Sequence, residues 1–247
     1  MLSNRIKRKI VNLIKKRFNL TEKSNLQGDL IRRKKIQNHC NIDKILDVGA
    51  NSGQYALQQL NNMGFKGSII SFEPMQKPFQ DLLKFSEQYN SWKVENIGLG
   101  LKNKTSVINI AQNSYSSSLL KMLPSHLNNA PESIYVDEET ITLNTLTTVF
   151  KAHCSLDDNI FLKIDTQGYE YNILESGRDI LNNIKMIQIE MSLIPLYEGE
   201  KTYDEMIKYL KDLNFQLWSV EPGFYSYETG ELLQIDGIFV NTRHIAI

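Results

Sequence analysis

The chain has 247 residues, 41% of them apolar, with 28 basic and 28 acidic side chains and a formal net charge of zero. That is enough apolar material for one sizeable α/β core, and no apolar run approaches the roughly 20 residues a membrane-spanning helix needs. Two cysteines, Cys40 and Cys154, exclude a disulfide scaffold and a cysteine-rich zinc site; with no secretory leader pattern visible, a reducing cytoplasm is the expected location.

The zero net charge conceals an asymmetry. Residues 1–40 carry twelve Lys and Arg against Glu22 and Asp29, whereas residues 41–247 carry sixteen basic and twenty-six acidic groups. We therefore divide the chain into a basic helical extension over 1–40 and a catalytic domain over 41–247. Residues 4–18 have the amphipathic spacing of a helix, with Ile6, Ile10, Leu13, Ile14 and Phe18 on one side. Such a helix could lie on an anionic membrane surface, pack on its own domain or pair with a second copy. After the break at Gln27-Gly28, residues 29–39 form a second, highly charged helix.

From residue 44 the pattern changes to strand–helix alternation. Strands are expected at 44–48, 68–72, 92–97, 160–164, 186–189, 216–220 and 237–240, and helices at 54–62, 78–88, 169–176 and 203–213. This order predicts a mostly parallel, doubly wound sheet with helices on both faces. An insertion over about 101–156 interrupts it with short strands at 106–110, 134–136 and 140–143. An excursion of that length usually covers or shapes a site.

Ligands of open α/β sheets bind beyond the carboxyl ends of the strands. Here those ends carry Asp47-Val48-Gly49-Ala50-Asn51-Ser52-Gly53, Glu73-Pro74, Asn96, Asp165-Thr166-Gln167-Gly168 and Glu190. The first turn reads D-x-G-x-x-x-G, not G-x-G-x-x-G. A carboxylate at Asp47 would repel a pyrophosphate, which argues against a nicotinamide oxidoreductase. It suits a ligand with a cationic amino-acid tail, and Glu73 is placed to accept the hydroxyls of a ribose. Both features fit S-adenosylmethionine. Asp47, Gly49, Ala50, Asn51, Ser52, Gly53, Glu73, Pro74, Asn96 and Asp165 are the candidate cofactor residues.

Several runs resemble the FkbM-type family of S-adenosylmethionine-dependent O-methyltransferases. They are Ile45–Gly53, Ser71–Pro74, Thr142–Leu146, Leu162–Glu170, Leu196–Gly199, Glu221–Phe224 and Asp236–Val240, within a match of roughly 43–241. The family more often has Asp where this chain has Asn144. The resemblance implies a seven-strand Rossmann-like methyltransferase sheet with an antiparallel last strand. It also implies methyl transfer to an oxygen, commonly on a sugar or natural-product scaffold.

For catalysis the candidates are Asp165 and Glu190, which end neighbouring strands, Glu170 one helical turn beyond Asp165, and His126 in the insertion as a lid base. Lys163, interrupting an apolar strand, is expected to pair with one of the acids. Asp165 and Glu190 could hold Mg²⁺ with waters, but nothing in the pattern demands a metal. The acidic body is a poor start for gripping a phosphate backbone. A nucleic-acid methyltransferase and a non-catalytic adenosine-ligand-binding module are therefore the alternatives to an enzyme acting on a small-molecule or glycan acceptor.

Overall fold

A computed structural model describes residues 28–244. The amphipathic segment expected at 4–18 lies outside them. Helix α1 covers residues 28–39. Ten strands follow: β1 (Lys44–Val48), β2 (Ser68–Phe72), β3 (Trp92–Glu95), β4 (Gly98–Leu99), β5 (Lys104–Ala111), β6 (Tyr135–Asn144), β7 (Ile160–Ile164), β8 (Ile184–Ser192), β9 (Phe215–Pro222) and β10 (Gln234–Asn241). The remaining helices are α2 (Gln54–Leu57), α3 (Gln76–Ser86), α4 (Pro124–Leu127), α5 (Leu146–His153), α6 (Glu170–Ser176) and α7 (Tyr203–Asp212).

Seven strands form one sheet in the order β3-β2-β1-β7-β8-β10-β9. All are parallel except β10, which runs antiparallel between β8 and β9. Strands β1, β7 and β8 read as continuous apolar runs because both faces of the sheet are covered. On one face, Leu146, Val149 and Phe150 of α5, Leu174 of α6 and Leu210 of α7 close over the sheet. On the other, Ile36 of α1, Ala56 of α2 and Leu82 of α3 do so. Helix α7 starts with a capping box in which Thr202 and Glu205 satisfy each other's backbone N–H, the pairing that S/T-x-x-E encodes. Among the described residues no helix is long and apolar enough to cross a membrane.

The strand order reverses between β1 and β7, so their carboxyl ends open a crevice there. Over that crevice stands a second sheet of order β4-β6-β5. The two short strands expected at 134–136 and 140–143 are one strand, β6. The acidic run Asp137-Glu138-Glu139 that separated them in the sequence faces solvent on an exposed sheet. The insertion is also shorter than 101–156. Helix α5, hidden in a β-branched stretch that reads poorly as helix, packs into the main core and is capped by the Thr145 side chain, which accepts from Thr148 N. The helix expected at 54–62 is α2 followed by one wider π-helical turn over Gln58–Asn62. That turn carries Gln58 to Arg33 and Gln59 to Gln37, both on α1.

Candidate active site

The crevice holds a cleft of about 270 Å³. Its walls combine the strand ends of the main sheet (Gly49, Asn51, Glu73, Asp165 and Glu190) with apolar side chains of the second sheet, among them Leu99, Ile141 and Leu143. The insertion therefore forms one wall of the site, as its length suggested.

The turn after β1 owes its shape to glycine. Gly49 has φ +75, and a Cβ there would meet the Asp165 carbonyl oxygen at 1.8 Å. Only a residue without a side chain lets the first turn lie against the end of β7. Next to it, Asn51 N donates to Glu73 Oε2 at 2.9 Å, while Met75 N donates to Glu73 Oε1 at 2.8 Å. Glu73 is 3% exposed, and burial pushes its carboxyl up to about 7. The two backbone donors fix its orientation with an edge on the cleft.

Asp47 does not reach that cleft. It is fully buried beneath it; its Oδ2 accepts from Ser71 Oγ at 2.8 Å and its Oδ1 lies 3.5 Å from Lys163 Nζ. The expectation that Asp47 meets a ligand's cation is corrected accordingly: the cation it meets is Lys163, whose side chain comes from the neighbouring strand in register with it. Lys163 also lies 3.5 Å from Asp165 Oδ2 and donates to the Gly49 carbonyl at 3.1 Å. Its burial works against the charge, and the carboxylates of Asp165 and Asp47 outweigh it and raise its pKa. Lys163 thus ties three strand-end groups together from below.

Of the other cofactor candidates, Pro74 lines the same cleft, and Ala50 lines a neighbouring one. Gly53 carries φ +89 and packs so closely on Trp92 and Leu82 that a Cβ would come within 3 Å of both. Ser52 donates through its backbone and hydroxyl to Asn51 Oδ1. Neither Ser52 nor Gly53 belongs to the cleft wall; both shape the turn. Asn96 is also one layer back. Its Nδ2 donates to the carbonyls of Glu73 and Pro74 at 2.9 and 3.0 Å, so it holds the end of β2 in place.

Asp165 and Glu190 both face the cleft. The Asp165 side chain is 38% exposed. Glu190 is half-buried; its Oε2 accepts from Gln167 Nε2 at 2.8 Å and Gln234 Nε2 at 2.9 Å. Burial, reinforced by the negative charge of Asp165, holds its carboxyl well above the usual carboxylate range. Gln167 belongs to the strand-end run 165–168 but is not among the candidate site residues of the sequence. It adopts φ +57, and its Nε2 also donates to Asp165 Oδ1 at 3.1 Å while its Oε1 accepts from Tyr197 Oη at 2.8 Å. Its place in a strand-end turn was the available signal.

Two catalytic candidates lie elsewhere. Glu170 accepts at Oε1 from Thr166 N and Thr166 Oγ1, at 2.7 and 3.1 Å. It is buried behind the turn, outside the cleft wall, and braces the N-terminus of α6. His126 packs between Tyr197 and Phe224, with ring centroids 5.2 and 5.3 Å away. That apolar enclosure lowers its pKa to about 4, and its ring is a packing element of the lid, outside the cleft wall. Among the described residues no three His, Cys, Asp or Glu side chains are grouped to hold a metal ion.

The donor set fits an adenosine ligand. An oriented carboxylate at the end of β2 can accept a ribose diol, beside apolar walls that suit a base.

The family model described as methyltransferase FkbM domain matches residues 47–217. No curated protein matches the chain. Solved structures that it resembles include magnesium protoporphyrin IX methyltransferase from Synechocystis PCC 6803 with bound S-adenosylmethionine, at 8% identity and TM-score 0.48, over 89% of this chain and 81% of that one. Aeropyrum pernix fibrillarin with natively bound S-adenosylmethionine aligns at 13% identity and TM-score 0.46, over 80% and 66%. TehB from Haemophilus influenzae aligns at 11% identity and TM-score 0.45, over 87% and 62%. Likeness of this degree says nothing of substrate.

Proposed function

The chain belongs to the FkbM family of methyltransferases and uses S-adenosylmethionine, and from that premise we propose that it methylates a hydroxyl oxygen of a sugar or glycoconjugate. When bound, S-adenosylmethionine supplies a methyl carbon made electrophilic by its sulfonium. The observation that carries the reading is the pairing of Asp165 and Glu190 across one Gln167 amide at the cleft. Such a pair can take up the proton that a weak oxygen nucleophile must lose.

Glu73 is the residue that would hold the ribose, with the Gly49–Asn51 backbone beside it. Asp165, open to the cleft, is the carboxylate of the pair available to take the hydroxyl proton as the new carbon–oxygen bond forms and the carbon–sulfur bond breaks. Glu190, which burial keeps protonated to higher pH, can donate to the acceptor oxygen or its neighbour and hold it in line. Positioning and proton removal are the contributions a protein makes to such a displacement.

The test is mass spectrometry of nucleotide sugars, methyl glycosides and lipid-linked glycans incubated with methyl-labelled S-adenosylmethionine. The expected product carries the label on a sugar oxygen. Label on nitrogen or carbon, or on RNA in preference to every glycan offered, would overturn the reading.

A further inference from the structure

Beside the first cleft lies a second of about 300 Å³. Gly49, Asn51, Tyr115 and Asp165 belong to the walls of both. Strand pairing sets the polar side chains of the second cleft in two rows. Lys163 lies beside Gln188, and Asp236 pairs with Glu190, which lines the first cleft.

Two of these groups are unused. Gln188 is 3% exposed. Its Oε1 accepts from Tyr55 Oη at 2.9 Å, and its Nε2 has no partner among the described residues although the side chain lines the cleft. An amide donor on a cleft wall with no protein partner is available to a ligand. The Asp236 carboxylate likewise makes no hydrogen bond or ion pair among the described residues, and burial with the charge of Asp165 pushes it up to about 6.

The cations nearby are already engaged. Arg33 Nε donates to Glu221 Oε1 at 3.1 Å and Nη1 to Gln58 Oε1 at 2.9 Å. Lys163 is shared between Asp47, Asp165 and the Gly49 carbonyl. Among the described residues the two cations that line this cleft, Arg33 and Lys163, are both engaged, and two carboxylates, Asp165 and Asp236, face the space. A neutral diol matches what is left: its hydroxyls can donate to Asp236 and Asp165 and accept from Gln188.

We propose that the second cleft is the acceptor subsite for a neutral polyhydroxyl ring, held by Gln188 and Asp236, with Asp165 at the junction meeting the hydroxyl to be methylated. The acceptor class rests on the function proposed above; the subsite rests on the two unpartnered groups. The competing occupant, the amino-acid end of the cofactor, would bring an ammonium as well as a carboxylate beside Asp165 and Asp236, and the experiment separates the two.

The experiment uses the full chain saturated with S-adenosylhomocysteine and a panel of methyl glycosides (glucoside, galactoside, mannoside, rhamnoside, fucoside), read by saturation-transfer NMR. Asp236→Asn and Gln188→Glu are compared with wild type; the second keeps an oxygen facing Tyr55 and decides the matter if the first does not fold. At least one glycoside should bind saturably, and each variant should weaken it about tenfold while calorimetry shows S-adenosylhomocysteine affinity within about twofold. Absence of saturable binding, binding that both variants leave unchanged, or a tenfold loss of S-adenosylhomocysteine affinity would overturn the assignment, the last by giving the cleft to the cofactor. A glycoside that binds here but gains no methyl group leaves the subsite standing and removes the O-methylation reading. A methylated glycoside whose KM neither variant changes does the reverse.

Discussion

Gln167 donates one amide to two acids: its Nε2 lies 2.8 Å from Glu190 Oε2 and 3.1 Å from Asp165 Oδ1. The acids differ in surroundings. Asp165 also meets the Lys163 ammonium, whereas burial and the charge of Asp165 raise the Glu190 carboxyl. Asp165→Asn preserves the shape and the contact with Lys163's side but cannot accept a proton. It should lower kcat by at least about a hundredfold with S-adenosylhomocysteine affinity nearly unchanged. Glu190→Gln should lower kcat if it holds the reacting oxygen and raise KM if it holds a neighbouring hydroxyl. Wild-type turnover in both variants would place the base elsewhere.

Glu73 is held by Asn51 N and Met75 N before any ligand arrives, so its two acceptor oxygens are already aimed. Glu73→Ala should weaken cofactor binding by roughly 1.5–3 kcal/mol, the range for hydrogen bonds to a charged group. Calorimetry with S-adenosylhomocysteine reads the change directly, and equal affinity in a folded variant would contradict the assignment.

Much of this was readable beforehand, for a physical reason. Strands β1, β7 and β8 are buried on both faces, so they stand out as apolar runs, and Asp165, which follows β7, and Glu190, which interrupts β8, are conspicuous. What escaped depended on side-chain direction. Asp47 sits in the strand itself, where register with Lys163 turns it inward. Asn96 points back at the carbonyls of β2. His126 looked like a lid base, but its pairing with Tyr197 and Phe224 is set by the fold of segments far apart in the chain. Gln188 and Asp236 lie one and two strands from Asp165, and only the sheet order makes them its neighbours.

Gly49 and Gly199 separate two costs of a side chain. Both have φ near +75, yet a Cβ at Gly199 meets nothing within 4 Å while one at Gly49 strikes the Asp165 carbonyl. Gly199→Ala should cost about 1 kcal/mol from backbone conformation alone. Gly49→Ala should cost at least about 1–3 kcal/mol more and displace Asp165. Urea unfolding of the two variants gives the difference; equal losses would show that the turn can move aside.

Burial raises the Glu170 carboxyl from 4.5 to about 7. Between those values the folded state holds more protons than the unfolded one, so unfolding free energy falls as pH rises. This contribution is complete below about pH 4 and is lost as pH climbs through 7. The stability of wild type relative to Glu170→Gln should therefore shrink from pH 5 to pH 7.5 in urea titrations. A difference that grew with pH would mean that Glu170 is charged in the folded protein.

The antiparallel strand β10 lies between β8 and β9, and it brings Gln234 to Glu190. Until residues 234–241 are available, β8 has an open edge and one donor to Glu190 is missing. During synthesis the sheet up to β8 can form with that edge exposed, a template for unwanted pairing. The step that covers it is also the step that completes the hydrogen bonding of Glu190. Chains that have not completed their fold would thus also be unable to hold Glu190 in its working geometry, so maturation and competence arrive together.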